Sequence, residues 1–113
     1  MPLPPTEPEI NQIFLNQIEP HLKELGKPLF ITDYPAHMSP LADPGPNPEI
    51  SQRFELYFGG LEIANGCTEN INPKITTPWK NLPKSAGCGL GIDRLTMLFT
   101  NSSSIESVRP LPL

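Results

Sequence analysis

Runs of basic residues are missing from this chain. It carries 8 Lys and Arg against 12 Asp and Glu, a net charge of −4, and the cations are scattered. A chain that holds nucleic acid by itself shows a basic patch, so autonomous RNA or DNA binding is not expected. No apolar stretch approaches the roughly 18 residues of a membrane span, and none is expected to cross one. The opening MPLPPTEPE lacks the basic-then-apolar order of a signal peptide. Only two cysteines occur, Cys67 and Cys88, and their spacing fits neither CxxC nor a zinc site. Free thiols in a reducing cytoplasm are the expectation. No internal repeat is visible. His21 and His37 stand apart from any acid or nucleophile pattern and are not catalytic candidates.

Proline, by contrast, is abundant: 16 against 8 glycines, gathered at residues 2–8, 35–48 and the C-terminal end. Such clusters mark irregular connections. Between them the elements read clearly. Thr6-Glu7-Pro8-Glu9 is a T-x-x-E capping box with proline in the first turn. Ile10, Ile13, Phe14 and Ile18 follow as a helical stripe. Pro20 is expected to interrupt it, with a further turn over 21–25 and Gly26 as the stop. Residues 29–32 predict a short strand, and 34–48 a loop. Residues 54–58 and 61–64 predict strands joined at Gly59-Gly60, a two-residue hairpin signal. Residues 70–86 read as a connection, 87–92 as a glycine-laced strand, 94–99 as a helix, and 104–108 as a last turn. With 113 residues, this is one α+β domain built on an antiparallel sheet with flanking helices.

Three carboxylates stand out in RFELYFGGLEIANGCTEN (53–70): Glu55, Glu62 and Glu69. With Gly59-Gly60 as the loop, Tyr57 faces Glu62, Leu56 faces Ile63 and Glu55 faces Ala64. Alternation then puts Leu56, Phe58, Leu61 and Ile63 on a core face and Glu55, Tyr57, Glu62 and Ala64 on the other. Glu55 and Glu62 become diagonal neighbours. Such a pair simply points into water, or shares a proton, or holds a hard cation such as Mg²⁺. Asn65 and Glu69 fall on the opposite face under strict alternation. A bend or bulge between Ala64 and Gly66 would bring them round to Glu62; a plain turn at Asn65-Gly66 would not.

AGCGLGIDR (86–94) is not a G-x-G-x-x-G phosphate cradle. Its alternate glycines strip one strand face of side chains. That suits either a flat ring lying on bare backbone or close packing of a helix. Arg94 opens a helix at its positive end, where the dipole does not call for a cation, so an anionic partner such as phosphate is a candidate.

Taken together, these stretches resemble the C-terminal part of the catalytic domain of class II lysyl-tRNA synthetases. PLFITDYPAHMSPLA (28–42) is similar to that family's F-I-T-[DE]-Y-P-x-x-x-S-P-L-A segment. RFELYFGGLEIANGCTE (53–69) resembles R-F-E-[LF]-F-x-x-G-x-E-I-x-N-x-x-[ST]-E. GCGLGIDRLTML (87–98) resembles motif 3, and SIESV the family's closing S-I-x-x-V. The likeness runs in order from about residue 9 to 113. It implies one partial class II catalytic domain over 1–113, acting in the cytoplasm in ATP-dependent lysine activation and transfer to tRNA. It also implies roles: Glu55 and Glu62 on Mg²⁺ and ATP phosphates, Asn65 and Glu69 on lysine, and Arg94 on ATP, with Gly89 and Gly91 beside it. Glu62 and Arg94 would be the catalytic pair.

The likeness has gaps. An anticodon-binding domain, motif 1 (which builds the family's dimer) and motif 2 with its ATP-binding arginine are not found in these 113 residues. About forty helical residues that the family places before the glycine strand are replaced by 74–82. The closing Phe-Pro is Pro110-Leu111-Pro112-Leu113. A truncated catalytic fragment is the expectation. The alternatives are a relative of the ligase that puts β-lysine on elongation factor P, and a non-catalytic synthetase-like remnant. The elongation-factor ligase tends to carry alanine where Gly89 stands and a different segment after Asn65-Gly66, so Gly89 and Cys67-Thr68-Glu69 favour the synthetase.

Overall fold

The computed structural model describes residues 2–3, 5–72, 74 and 82–111. A helix over Glu7–Ile13 (α1) begins where the capping box predicts. The Thr6 amide and hydroxyl both donate to Glu9 Oε2, at 2.7 and 2.8 Å. Pro20 does not stop the helix but widens it. A π-helical turn spans Phe14–Ile18, in which the Glu19 N–H reaches back five residues to the Phe14 carbonyl, and α2 continues over Glu19–Leu25. Proline has no N–H for the Asn16 carbonyl and its ring crowds that oxygen; the wide turn absorbs both faults just ahead of it. Gly26, at φ 61°, ends the helix as expected.

Four antiparallel strands follow in the order β1-β2-β3-β4: Leu29–Pro35, Ile50–Phe58, Leu61–Thr68 and Ala86–Leu90. β1 takes in Tyr34 and Pro35, which the proline content had assigned to the loop; pairing with Ser51 and Ile50 holds them in the sheet. The rest of that loop holds a short 3₁₀ turn at Ala36–Met38 and a bridge from Ala42 to Glu69. The β2–β3 turn is the predicted one, with Gly59 and Gly60 at φ 58° and 80°, the positive values that a two-residue hairpin demands. β4 ends sooner than expected. Gly91 caps α3 (Ile92–Thr100), so Ile92 belongs to the helix. A 3₁₀ turn at Ile105–Ser107 supplies the last predicted element. The expected 70–86 connection falls partly on residues 73 and 75–81, outside the described residues. No helix among the described residues is long and apolar enough to cross a membrane.

One register detail corrects the sequence reading. Phe58 pairs with Leu61 and Tyr57 with Glu62, as predicted, but Leu56 then pairs with Ala64 and Glu55 with Asn65. Ile63 is an extra residue, a β-bulge. Beyond it β3 runs through Asn65-Gly66 to Thr68 without a break. The expected bend or bulge is therefore not within 64–66 but one residue earlier, at Ile63. Every residue after Ile63 swaps faces relative to strict alternation.

The core is also distributed differently. Ile63 is buried, but its predicted companions Leu56, Phe58 and Leu61 are only half-buried. The helical arm lies instead over the Glu55–Tyr57 face. Phe14 stacks on Tyr57 with ring centroids 5.8 Å apart, and Leu22 is buried. The other sheet face carries Phe30 and Phe54 in an edge-to-face pair, with Phe30 and Leu90 61% and 48% exposed.

Candidate functional site

Because Ile63 is extra, one face of the sheet collects Arg53, Glu55 and Tyr57 from β2 and Glu62, Asn65 and Cys67 from β3. Gly87 and Gly89 of β4 stand opposite Cys67 and Asn65. Glu55 and Glu62 share this face and line one cavity of about 310 Å³ under α1, as predicted. Asn65 donates to Glu62 Oε1 at 3.0 Å. Glu69, just past β3, accepts a long thiol contact from Cys67 (3.9 Å). The pair predicted to face lysine is thus brought round, by a bulge one residue ahead of the expected 64–66 stretch.

Glu55 is neither solvated nor waiting for an outside partner. It is 7% exposed. Arg53 bonds its Oε1, and Tyr57 donates to Oε2 at 2.7 Å. Arg53 also donates to Ser39 Oγ at 3.1 Å and lies 4.8 Å over the Tyr34 ring. The sequence reading passed over Arg53 as an answer to the carboxylates. Alternation held the signal, since residues 53 and 55 share a face. Burial first, and then Glu55, push the Tyr57 and Tyr34 phenols well above their usual range. The Tyr34 hydroxyl sits in that field without reaching a hydrogen bond among the described residues. Burial, and then Glu69, likewise raise the Cys67 thiol.

Two shallow cavities adjoin along the glycine strand and share Asn65 and Gly89. One, about 300 Å³, is lined by Glu62, Gly91 and Arg94; the other, about 280 Å³, by Arg53, Cys67, Glu69 and Gly87. Arg94 is exposed and donates from Nη1 to the Glu62 carbonyl at 2.9 Å. Its charge has no carboxylate partner among the described residues. At one end the surface offers a carboxylate and an exposed guanidinium with no carboxylate partner; at the other, the Glu69 carboxylate. Bare backbone lies between. Among the described residues no helix packs on these glycines: a Cβ on Gly87 or Gly89 would find nothing nearer than 3.9 or 4.0 Å. Gly66 differs, since a Cβ there would strike Gly87 O at 2.5 Å and the Phe54 ring at 2.6 Å.

No group of three or more His, Cys, Asp or Glu is placed to form a metal cage among the described residues. Two carboxylates on one face still fit a Mg²⁺ whose remaining ligands are phosphates and water. Glu62 offers the freer oxygens, while Glu55 is fixed behind it by Arg53 and Tyr57.

An antiparallel sheet flanked by helices, with a glycine strand leading into an arginine-bearing helix, matches a known pattern. The family model "tRNA synthetases class II (D, K and N)" covers residues 15–79 and 79–113, and this chain belongs to that family. It is 39% identical to the lysine–tRNA ligase of Prochlorococcus marinus (strain MIT 9515) over 132 aligned positions, 92% of this chain and 25% of the relative. Those of Citrobacter koseri and Salmonella arizonae match at 39% over 131 positions, 91% of this chain and 25% of each. The chain therefore spans about a quarter of these curated relatives. An alignment of 132 positions that uses 92% of 113 residues leaves about 28 positions as gaps in this chain. The family match itself breaks at residue 79, within the stretch expected to be shortened.

Proposed function

We infer that these 113 residues carry the lysine- and nucleotide-facing part of a lysine–tRNA ligase catalytic site. The observation that carries this is the Ile63 bulge, which sets Glu62, Asn65 and Glu69 beside a glycine floor that ends at Arg94. On this reading Glu69 holds the ε-ammonium of lysine and Asn65 orients the amino acid. The adenine ring lies on the bare backbone at Gly89 and Gly91, and Arg94 neutralises phosphate charge. Mg²⁺, held at Glu62 with Glu55 behind it, would supply further charge neutralisation on the ATP phosphates. In the reaction a lysine carboxylate oxygen bonds to the α-phosphorus, the bond to the bridging oxygen breaks, and pyrophosphate leaves. The protein contributes positioning and preorganised charge. Transfer of the lysyl group to tRNA, in the cytoplasm, follows. The 113 residues are one partial class II catalytic domain, and dimer formation through motif 1 belongs to the longer relatives.

A second reading, a non-catalytic remnant, is favoured by one observation: Arg53 and Tyr57 already occupy Glu55, and α1 lies over its face with Phe14 on Tyr57. Titration of the chain with lysine and with Mg²⁺–ATP, followed by amide NMR, separates the two. The synthetase reading requires saturable shifts at Asn65 and Gly89, with Glu69→Gln removing the lysine response and Arg94→Ala the nucleotide response. No saturable shift with either ligand leaves the remnant.

A further inference from the structure

α1 reaches the sheet with one face. Glu7, Ile10, Asn11 and Phe14 fall at i, i+3, i+4 and i+7. Together they roof the cavity of about 310 Å³ whose floor holds Arg53, Glu55, Tyr57 and Glu62. The roof is half polar. A helix face packed for good is apolar, whereas this one sets Glu7 and Asn11 beside Ile10 and Phe14. α1 buries none of its residues. Among the described residues no hydrogen bond or ion pair ties its side chains to the sheet. The Phe14 ring on Tyr57 is the aromatic contact that holds it down. α2 is anchored otherwise. Leu22 is buried, and the Lys23 stem lies so close against Gly60 that a Cβ there would strike it. Between the loose helix and the fixed one stands the π-turn at Phe14–Ile18. Pro20 follows it and leaves the Asn16 carbonyl without its helical N–H. Turns of this kind are where helices bend.

We propose that α1 is a self-made cover over the cation half of the site. Shut, it keeps a Mg²⁺–nucleotide from reaching Glu55 together with Glu62; it swings off about the π-turn when the nucleotide seats. The inference rests on the ligase reading given above. Glu62 belongs to two spaces, the covered cavity that it shares with Glu55 and the open groove that it shares with Arg94. Phosphates that meet Arg94 in the groove can follow a metal ion to Glu55 only if the roof lifts. Charge sets the direction of the response. The cavity gathers Glu7, Glu55 and Glu62 against one cation, Arg53. Bare Mg²⁺ eases that surplus and leaves the roof down. A metal ion that carries a triphosphate brings more negative charge up to Glu7, and like charge pushes α1 away. The closed state is held by the Phe14–Tyr57 pair and by Ile10, and apparent nucleotide affinity is lowered by the fraction of chains that are shut. The lysine end, at Asn65 and Glu69, lies in a cavity that no α1 residue lines.

The test reads the latch and the affinity separately, on the whole chain. The nuclear Overhauser contact between the Phe14 and Tyr57 rings is expected in the free chain and with Mg²⁺ alone. It is expected to fade as Mg²⁺–ATP saturates the shift at Gly89. Phe14→Ala is expected to tighten Mg²⁺–ATP about two- to tenfold, the worth of one aromatic pair expressed as a binding ratio. Its circular dichroism and its lysine response at Asn65 are expected to stay as they are. A Phe14 that merely supports the fold would weaken both ligands instead. Ile10→Ser thins the same roof and is expected to shift nucleotide affinity in the same direction, and it carries the test if Phe14→Ala does not fold. A ring contact that persists at nucleotide saturation overturns the cover and leaves the ligase reading standing. So does a nucleotide affinity that is unchanged or weaker in the folded variants. No Mg²⁺–ATP response in the parent chain or in either variant removes the nucleotide reading itself, and the cover with it.

Discussion

Asn65 donates to Glu62 at 3.0 Å, although it stands three positions further along the same strand and strict alternation would set them on opposite faces. The extra residue, Ile63, makes the contact possible. Deleting Ile63 removes the extra residue, so Asn65 falls two positions after Glu62 and plain alternation keeps Asn65, Cys67 and Glu69 on the Glu62 face. The expected result is a lower urea midpoint, from the lost buried side chain, with the Glu69-dependent lysine response in NMR titration retained. Ile63→Val keeps the bulge and should cost about 0.5–1.5 kcal/mol while leaving that response in place.

Gly66 and Gly89 predict opposite signs for one substitution. At Gly66 an added methyl meets backbone and an aromatic ring inside 3 Å, so Gly66→Ala should destabilise the chain by about 1–3 kcal/mol. At Gly89 the nearest atom among the described residues is 4.0 Å away and φ is not positive. Gly89→Ala should then stabilise by about 0.4–1 kcal/mol through the unfolded chain, while raising the floor on which the adenine ring is proposed to lie. Chemical denaturation reads the first effect and Mg²⁺–ATP titration the second. A weaker nucleotide response with higher stability is the expected combination for Gly89→Ala.

The Arg53–Glu55–Tyr57 cluster is the third test. Arg53→Met leaves a buried carboxylate with one donor, and removing one partner of a buried pair typically costs about 3–5 kcal/mol. Tyr57→Phe removes a hydrogen bond to a charged group and should cost about 1.5–3 kcal/mol. Arg53→Met with Glu55→Leu should be less damaging than Arg53→Met alone, because no charge is left unpaired. Urea denaturation of the three variants checks the order.

Much of this was legible beforehand. The capping box, the Gly59-Gly60 turn, four strands and the helix bearing Arg94 follow from local chemistry, and local chemistry settles them. What escaped depends on partners far along the chain. Pro20 marked a fault in the helix, but whether a helix breaks or widens depends on what holds its two sides, here Phe14 on Tyr57 and buried Leu22. The bulge was sought at Asn65-Gly66, where glycine makes it cheap. It lies at Ile63, where the Gly91 N–H bonds the Ile63 carbonyl and Phe54 closes over Gly66. Tertiary packing chose the site against local preference. Glu55 finds its partner in Arg53, two residues away on the same face, a pairing that alternation makes legible once Arg53 is placed on the strand.

Stability on the alkaline side follows from the phenols and the thiol. Burial and Glu55 raise Tyr57 and Tyr34, and burial and Glu69 raise Cys67. In each case the folded chain keeps a proton that the unfolded chain releases sooner. Above the ordinary thiol and phenol values of 9.0 and 10.0 the unfolded state therefore binds fewer protons, and stability falls as pH rises. The contribution is fully present at neutral pH. Urea midpoints should decline steeply above about pH 9–10. Glu55→Gln, which removes the carboxylate beside both phenols, should flatten the decline; an unchanged slope would remove Glu55 as a cause.

The last expectation concerns catalysis by the isolated chain. Its residues supply Glu55 and Glu62, a Glu69 proposed to face lysine and one exposed guanidinium at Arg94, proposed to meet ATP. The family's motif 2 arginine is not among its 113 residues. Losing one preorganised charge at a transferring phosphoryl centre commonly costs on the order of 10²–10³ in rate. The Glu55 oxygens are held by Arg53 and Tyr57, and Phe14 covers that face, which weakens the proposed cation site further. Lysine-dependent ATP–pyrophosphate exchange by the purified chain with Mg²⁺ should therefore fall at least two orders of magnitude below that of a complete relative. Adding a separately made polypeptide that carries motif 2 should raise the rate in proportion to its occupancy. Robust exchange by the chain alone, abolished by Arg94→Ala, would show that these 113 residues form a complete catalyst and that the motif 2 arginine is dispensable here.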